Sequence, residues 1–128
     1  MSIMFRAIRS NVMAGSNAAD AAVAVWPYTE KGILVRAYIE NLTSVTADNS
    51  DNITVTATQN STTIFSRQTN DAGGTLAANS CPEQTFGTSM VGDKLEVTKG
   101  DVVSFAVAKA GTGPAYELNV VLVYRLAN

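Results

Sequence analysis

The last stretch of the chain, Glu117 to Leu126, is too apolar to face water on either side, and this constrains everything upstream. Leu118, Val120, Leu122, Tyr124 and Leu126 share one face of an extended strand, while the opposite face reads Asn119, Val121, Val123, Arg125. A strand covered on both faces is central to a sheet or packs against another subunit. Upstream, Val103, Phe105 and Val107 alternate with Ser104, Ala106 and Ala108, the period of a half-buried strand. Lys99-Gly100-Asp101 before it makes a tight corner, because glycine takes positive φ without steric cost. The rest of the chain must supply sheet to cover this block.

Short or alternating runs do supply it, at 3–9, 23–26, 32–40, 52–58, 62–68, 85–91, 93–98, 101–109 and 115–126. The pair 52–58 and 62–68, turned by Gln59-Asn60-Ser61, is the clearest hairpin; Ile64 and Phe65 are expected on opposite faces. Residues 69–84 have no period and read as a long loop. With no convincing helix, the expected class is all-β: an antiparallel β-sandwich, most simply a jelly roll, with an N-terminal arm. A length of 128 residues suits one domain and buries roughly two-thirds of the surface of the unfolded chain. Residues 1–22 read as an N-terminal arm, or as a first strand plus linker, and 23–128 as a single β-sandwich domain. Arg6 and Arg9 precede any acid in that first segment, and its apolar residues never run long enough for a secretory signal or a membrane span.

Composition excludes more chemistry than it offers. Charged residues are 16% and the net charge is −2, so no cationic surface exists for nucleic acid. Histidine is absent, which removes the commonest general base and metal ligand, and Cys81 is the only cysteine. The acids weighed as a catalytic carboxylate pair, Asp93, Glu96 and Asp101, sit at strand ends where carboxylates commonly face water. Asp48-Asn49-Ser50-Asp51-Asn52 resembles a loose set of oxygen donors but lacks the calcium-loop pattern and reads as a solvated turn. No enzyme, metal or cofactor is expected. Trp26 and Tyr28 are the candidates for stacking a carbohydrate, against the plainer reading of Trp26 as a core plug.

The run Leu95-Glu96-Val97-Thr98-Lys99-Gly100-Asp101-Val102-Val103-Ser104-Phe105-Ala106-Val107, followed by the strand Leu118 to Leu126, resembles the closing strands of small trimeric jelly rolls. Such strands occur in head decoration (cement) proteins of tailed bacteriophages and, more distantly, in C1q/TNF-like domains. The resemblance implies a structural virion protein made in the host cytoplasm. It would bind the outside of a phage head as a homotrimer and bridge subunits of the major capsid protein. Capsid contact is then expected at Phe5, Arg6 and Arg9, and trimer contact at Tyr38, Val121 and Val123. The alternative is a receptor- or carbohydrate-binding module such as a fibre tip, using Trp26 and Tyr28. Neither reading involves a nucleic acid or a membrane.

Overall fold

The computed structural model describes residues 3–16 and 18–127. Among these described residues nine strands are formed, β1 (Phe5–Arg9), β2 (Met13–Gly15), β3 (Asp20–Val25), β4 (Lys31–Asn41), β5 (Asn52–Gln59), β6 (Thr62–Gln68), β7 (Glu96–Val97), β8 (Val102–Ala110) and β9 (Tyr116–Ala127), with one short 3-10 turn at Gly92–Leu95. They form two sheets, in the orders β1-β9-β4-β7 and β3-β8-β5-β6, with β2 also pairing with β9. Every pairing is antiparallel.

The partners are nested: β1 and β2 with β9, β3 with β8, β4 with β7, and β5 with β6. This is one long hairpin rolled up on itself, the connectivity of a jelly roll. β1 and β2 act as one interrupted strand. Between them the ladder is bridged at Ser10, whose N–H donates to Val120 O at 3.0 Å and whose Oγ accepts the Val120 N–H at 2.9 Å.

The two-sided apolar strand lies where its pattern demands, with β9 flanked by β1 and β2 on one side and β4 on the other. Its inward residues Leu118, Val120, Leu122 and Tyr124 are buried against Phe105 and Val107 of β8 and Ile53 and Val55 of β5. Trp26 is fully buried, its Nε1 donating to Glu30 O at 2.9 Å and its ring tilted against Tyr124 at 4.8 Å. Apolar burial of this kind stabilises by roughly 25 cal/mol per Å².

Several sequence expectations are corrected. Residues 85–91 form no strand, because Thr88 and Ser89 turn the chain, closed by Met90 N–H to Gly87 O at 3.0 Å, and Gly87 N–H to Ile64 O at 2.7 Å ties the segment only at that point. Only Glu96–Val97 of the expected 93–98 strand pairs, the preceding residues being taken by the 3-10 turn. β3 begins at Asp20, inside the stretch read as linker. Ile64 and Phe65 are both buried, because the register of β5 against β6 slips between Ala57 and Thr58 and a bulge turns neighbouring side chains the same way. Of the two expectations for the N-terminus, residues 5–9 are a strand.

Residues 69–84, without period, nonetheless have a defined course. Isolated bridges join Leu76 to Val45, Ser80 to Asn41 and Glu83 to Tyr38. The segment thus runs along the side of β4 that β9 leaves free, beyond the short β7. Its backbone supplies the pairing, so side-chain pattern gave no signal.

Candidate assembly surface

The outward face of the first sheet is built by alternation on three neighbouring strands. Phe5, Ala7 and Arg9 of β1 lie opposite Arg125, Val123 and Val121 of β9, and Arg36 and Tyr38 of β4 lie opposite Val123 and Val121 on the other side. The register shift between Leu34 and Arg36 re-aims β4 there, so Arg36 and Tyr38 share the outward side with Val123 and Val121. The expected capsid and trimer residues, Arg6 excepted, therefore fall on one face.

Their exposures differ. Phe5 is 53% exposed, and Tyr38 and Val123 are half-buried. Val121 is only 5% exposed, covered by its own chain. Arg6 points the other way at the sheet margin, its guanidinium over the Tyr28 ring at 5.3 Å, with Tyr28 edge-on to Trp26 at 5.0 Å. Trp26 is thus the core plug, and Tyr28 is a half-buried ring under an arginine.

Charges on this face are paired in ways the sequence did not announce. Arg9 Nε donates to Glu40 Oε1 at 3.3 Å, and Asn119 Nδ2 donates to the same oxygen at 3.0 Å. These hydrogen bonds, Asn119 first and Arg9 second, hold the Glu40 carboxyl below its ordinary pKa. Arg36 meets Glu83 at 3.1 Å, and Tyr38 together with Glu83 holds its pKa above the usual value. Lys31 and Glu96 form a further pair at 3.1 Å. All are exposed and screened by solvent, so each contributes little and can be exchanged for a partner's charge.

Two of the three acids considered for chemistry, Glu96 and Asp101, are committed to structure. Asp101 Oδ2 accepts the Thr98 N–H at 2.8 Å, which lowers its pKa, while Glu96 is held by Lys31. Asp48 Oδ1 accepts the N–H groups of Ser50 and Asp51 at 2.7 and 2.9 Å, and its pKa falls for that reason. Asp51 closes the loop onto Thr112, whose N–H it accepts at 2.8 Å. Among the described residues no three Asp, Glu, Cys or His side chains group as a metal site. Cys81 is exposed, and desolvation together with the Glu40 charge raises its pKa, leaving a weak nucleophile. Two surface depressions are wide and shallow, one of about 450 Å³ beside Val35, Glu83 and Phe86 and one of about 580 Å³ among Thr62, Thr63, Thr88, Ser89 and Lys94, and a smaller one of about 150 Å³ lies beside Gln59, Asp93 and Glu96.

No protein-family model matches the chain, and no curated protein matches it. Among solved structures, the chain is similar to one in the structure of infectious bursal disease virus, Gx strain. Identity is 9% and the TM-score 0.45, over 97% of this chain and 32% of that one. A chain of the T13 viral particle of the same virus aligns at 9% identity with a TM-score of 0.27, over 98% of this chain and 39% of that one. This chain thus spans about a third of the length of these viral chains. The jelly-roll assignment rests on the strand pairing above and not on these loose overlays.

Proposed function

We propose that this chain is a structural virion protein, a decoration protein that sits on the outside of a phage head and bridges subunits of the major capsid protein. The observation that carries the reading is the placing of exposed apolar side chains: Ile3, Met4 and Phe5 stand in water beside Arg6 and Arg9, on and just before the edge strand of the first sheet. A folded chain of this composition gains nothing by wetting a phenylalanine on an edge strand unless a partner covers it. The jelly roll supplies a stiff block, and its outward face carries half-buried apolar groups amid exchangeable ion pairs.

In this reading Phe5 anchors in the capsid surface, and Arg6 and Arg9 meet capsid carboxylates, Arg9 by leaving Glu40. Three copies meet through the outward face of the first sheet. Tyr38 and Val123 give the area there, and Val121 backs them from beneath. The protein is made in the host cytoplasm and catalyses nothing. The carbohydrate alternative loses its platform, since Trp26 has no exposed face.

Mass spectrometry of particles purified by density gradient from cells carrying the gene tests the reading. The chain is expected in a fixed ratio to the major capsid protein, and Phe5→Asp with Arg6→Glu and Arg9→Glu should remove it from particles while it stays folded. Absence of the unaltered chain from such particles overturns the proposal.

A further inference from the structure

The second sheet ends at β3, and among the described residues of that strand only Asp20, at its first position, caps an edge-facing group. Trp26 N–H donates to Asp101 O at 2.9 Å and Trp26 O accepts the Gly100 N–H at 3.0 Å, so the Trp26 backbone faces β8. Alternation along an antiparallel ladder turns Ala24 and Ala22 the same way. Ala21, Val23 and Val25 therefore aim their N–H and C=O groups away from the sheet. The Asp20 side chain shows the consequence: its Oδ1 takes the Ala21 N–H at 2.8 Å, a donor that the ladder does not use. Val23 is 67% exposed and Val25 52%. Proteins normally blunt such an edge with lysine, proline or a bulge. Asp20–Val25 has none of these, and it pairs with β8 in unbroken register.

We propose that β3 is a docking edge for β3 of a second copy of this chain, the two strands pairing antiparallel about a two-fold axis at Val23. Only this register lets all the edge-facing residues meet each other: Val23 opposite Val23, and Ala21 opposite Val25. The strand's one charge favours a second copy as the occupant. Antiparallel pairing puts Asp20 opposite the Trp26 position of the other copy, far from that copy's Asp20, so no like charges meet. The outward positions of β3, β8, β5 and β6 carry only Ala, Val, Ser, Thr, Asn and Gln, so the joined sheets share a continuous uncharged face. Two strands of six residues cover a length of about 20 Å and bury a few hundred Å² per copy. A stable dimer needs about 800 Å² per partner. The pairing is therefore weak in dilute solution and fills where copies are crowded. It does not depend on what particle, if any, the protein binds.

A hydrogen-bonded antiparallel pair holds its Cα atoms about 5.5 Å apart, which a disulfide spans. With Cys81→Ser as background, Val23→Cys should oxidise to a covalent dimer at least about tenfold faster than Val91→Cys, because pairing raises the effective thiol concentration. Val91 is 63% exposed and lies off the edge, so it controls for chance encounter. Sedimentation from micromolar to millimolar protein should show mass rising above its dilute value. Val23→Pro, which removes only an outward N–H, should abolish the rise, and Asp20→Ala, which frees the Ala21 donor, should strengthen it. Equal oxidation rates at positions 23 and 91, or a mass that does not change with concentration, overturn the proposal.

Discussion

Gly32 has no room for a side chain. A Cβ there would lie 2.6 and 2.7 Å from two carbons of the Trp26 ring and 3.0 Å from Val97 Cγ2, and that ring is fully enclosed. Gly32→Ala should lower stability by about 1–3 kcal/mol in urea unfolding, the cost of overpacking. Tyr124 is the other sensitive point. Its hydroxyl donates to Gln59 Oε1 at 2.6 Å, while Gln59 Nε2 donates to Lys94 O at 2.8 Å, so a buried amide is satisfied from two sides. Burial pushes the phenol pKa up, so it stays a donor at any ordinary pH. Tyr124→Phe leaves the Gln59 oxygen without its donor and should cost about 1–3 kcal/mol by the same measurement. Asp48 and Asp101 make stability depend on pH. Folding lowers both pKa values, chiefly through backbone N–H groups, so their contribution is complete above the unfolded value of 3.8 and is lost as the pH falls through the folded values. Unfolding midpoints should drop on acidification below about pH 4, and Asp48→Asn with Asp101→Asn should flatten that acid limb. Trp26 as core was legible from a lone indole in a small β chain, whereas Gln59 was not. A glutamine ending a strand gives no sign that its amide turns inward.

At the scale of elements, alternation carried β4, β5, β8 and β9, because each buries one side chain in two. It failed for β3, whose Asp-Ala-Ala start offers almost no contrast between its faces, and for β2, three residues long. It also failed for residues 76–84, whose bridges to Val45, Asn41 and Tyr38 run through backbone groups and leave no side-chain period. Their anchor is Asn41, which ends β4 buried although it opens a polar run in the sequence. Its Nδ2 donates to Thr43 O, Leu76 O and Ala77 O at 2.8, 3.2 and 2.8 Å. One amide thus fixes the turn after β4 and the strap along its edge. Asn41→Ala should cost about 2–4 kcal/mol, more than one hydrogen bond, because several carbonyls lose their donor together. Hydrogen exchange locates the damage: the N–H groups of Val45, Leu76 and Ser80, all bonded across this junction, should lose protection well before those of β5 and β8.

For the whole molecule, two of the proposed contacts join copies of this chain to each other, and their symmetries differ. The outward face of the first sheet, with Tyr38 and Val123, is the proposed three-fold contact; the β3 edge belongs to the second sheet and is the proposed two-fold one. A block with a closed three-fold contact and a weak two-fold contact links trimers into a lattice, since each trimer presents further two-fold edges. Weak edges suffice in such a lattice because neighbours already held in place meet at high effective concentration. The two contacts should therefore separate by mutation. Tyr38→Asp with Val123→Asp places carboxylates in the trimer face and should reduce the mass in dilute solution from three chains to one by light scattering, leaving the oxidation rate of Val23→Cys pairs unchanged. Val23→Pro should leave the dilute mass at three chains and remove only the growth seen at high concentration. A single-chain mass for the unaltered protein in dilute solution would refute the three-fold contact while leaving the β3 edge to be judged on its own cross-linking.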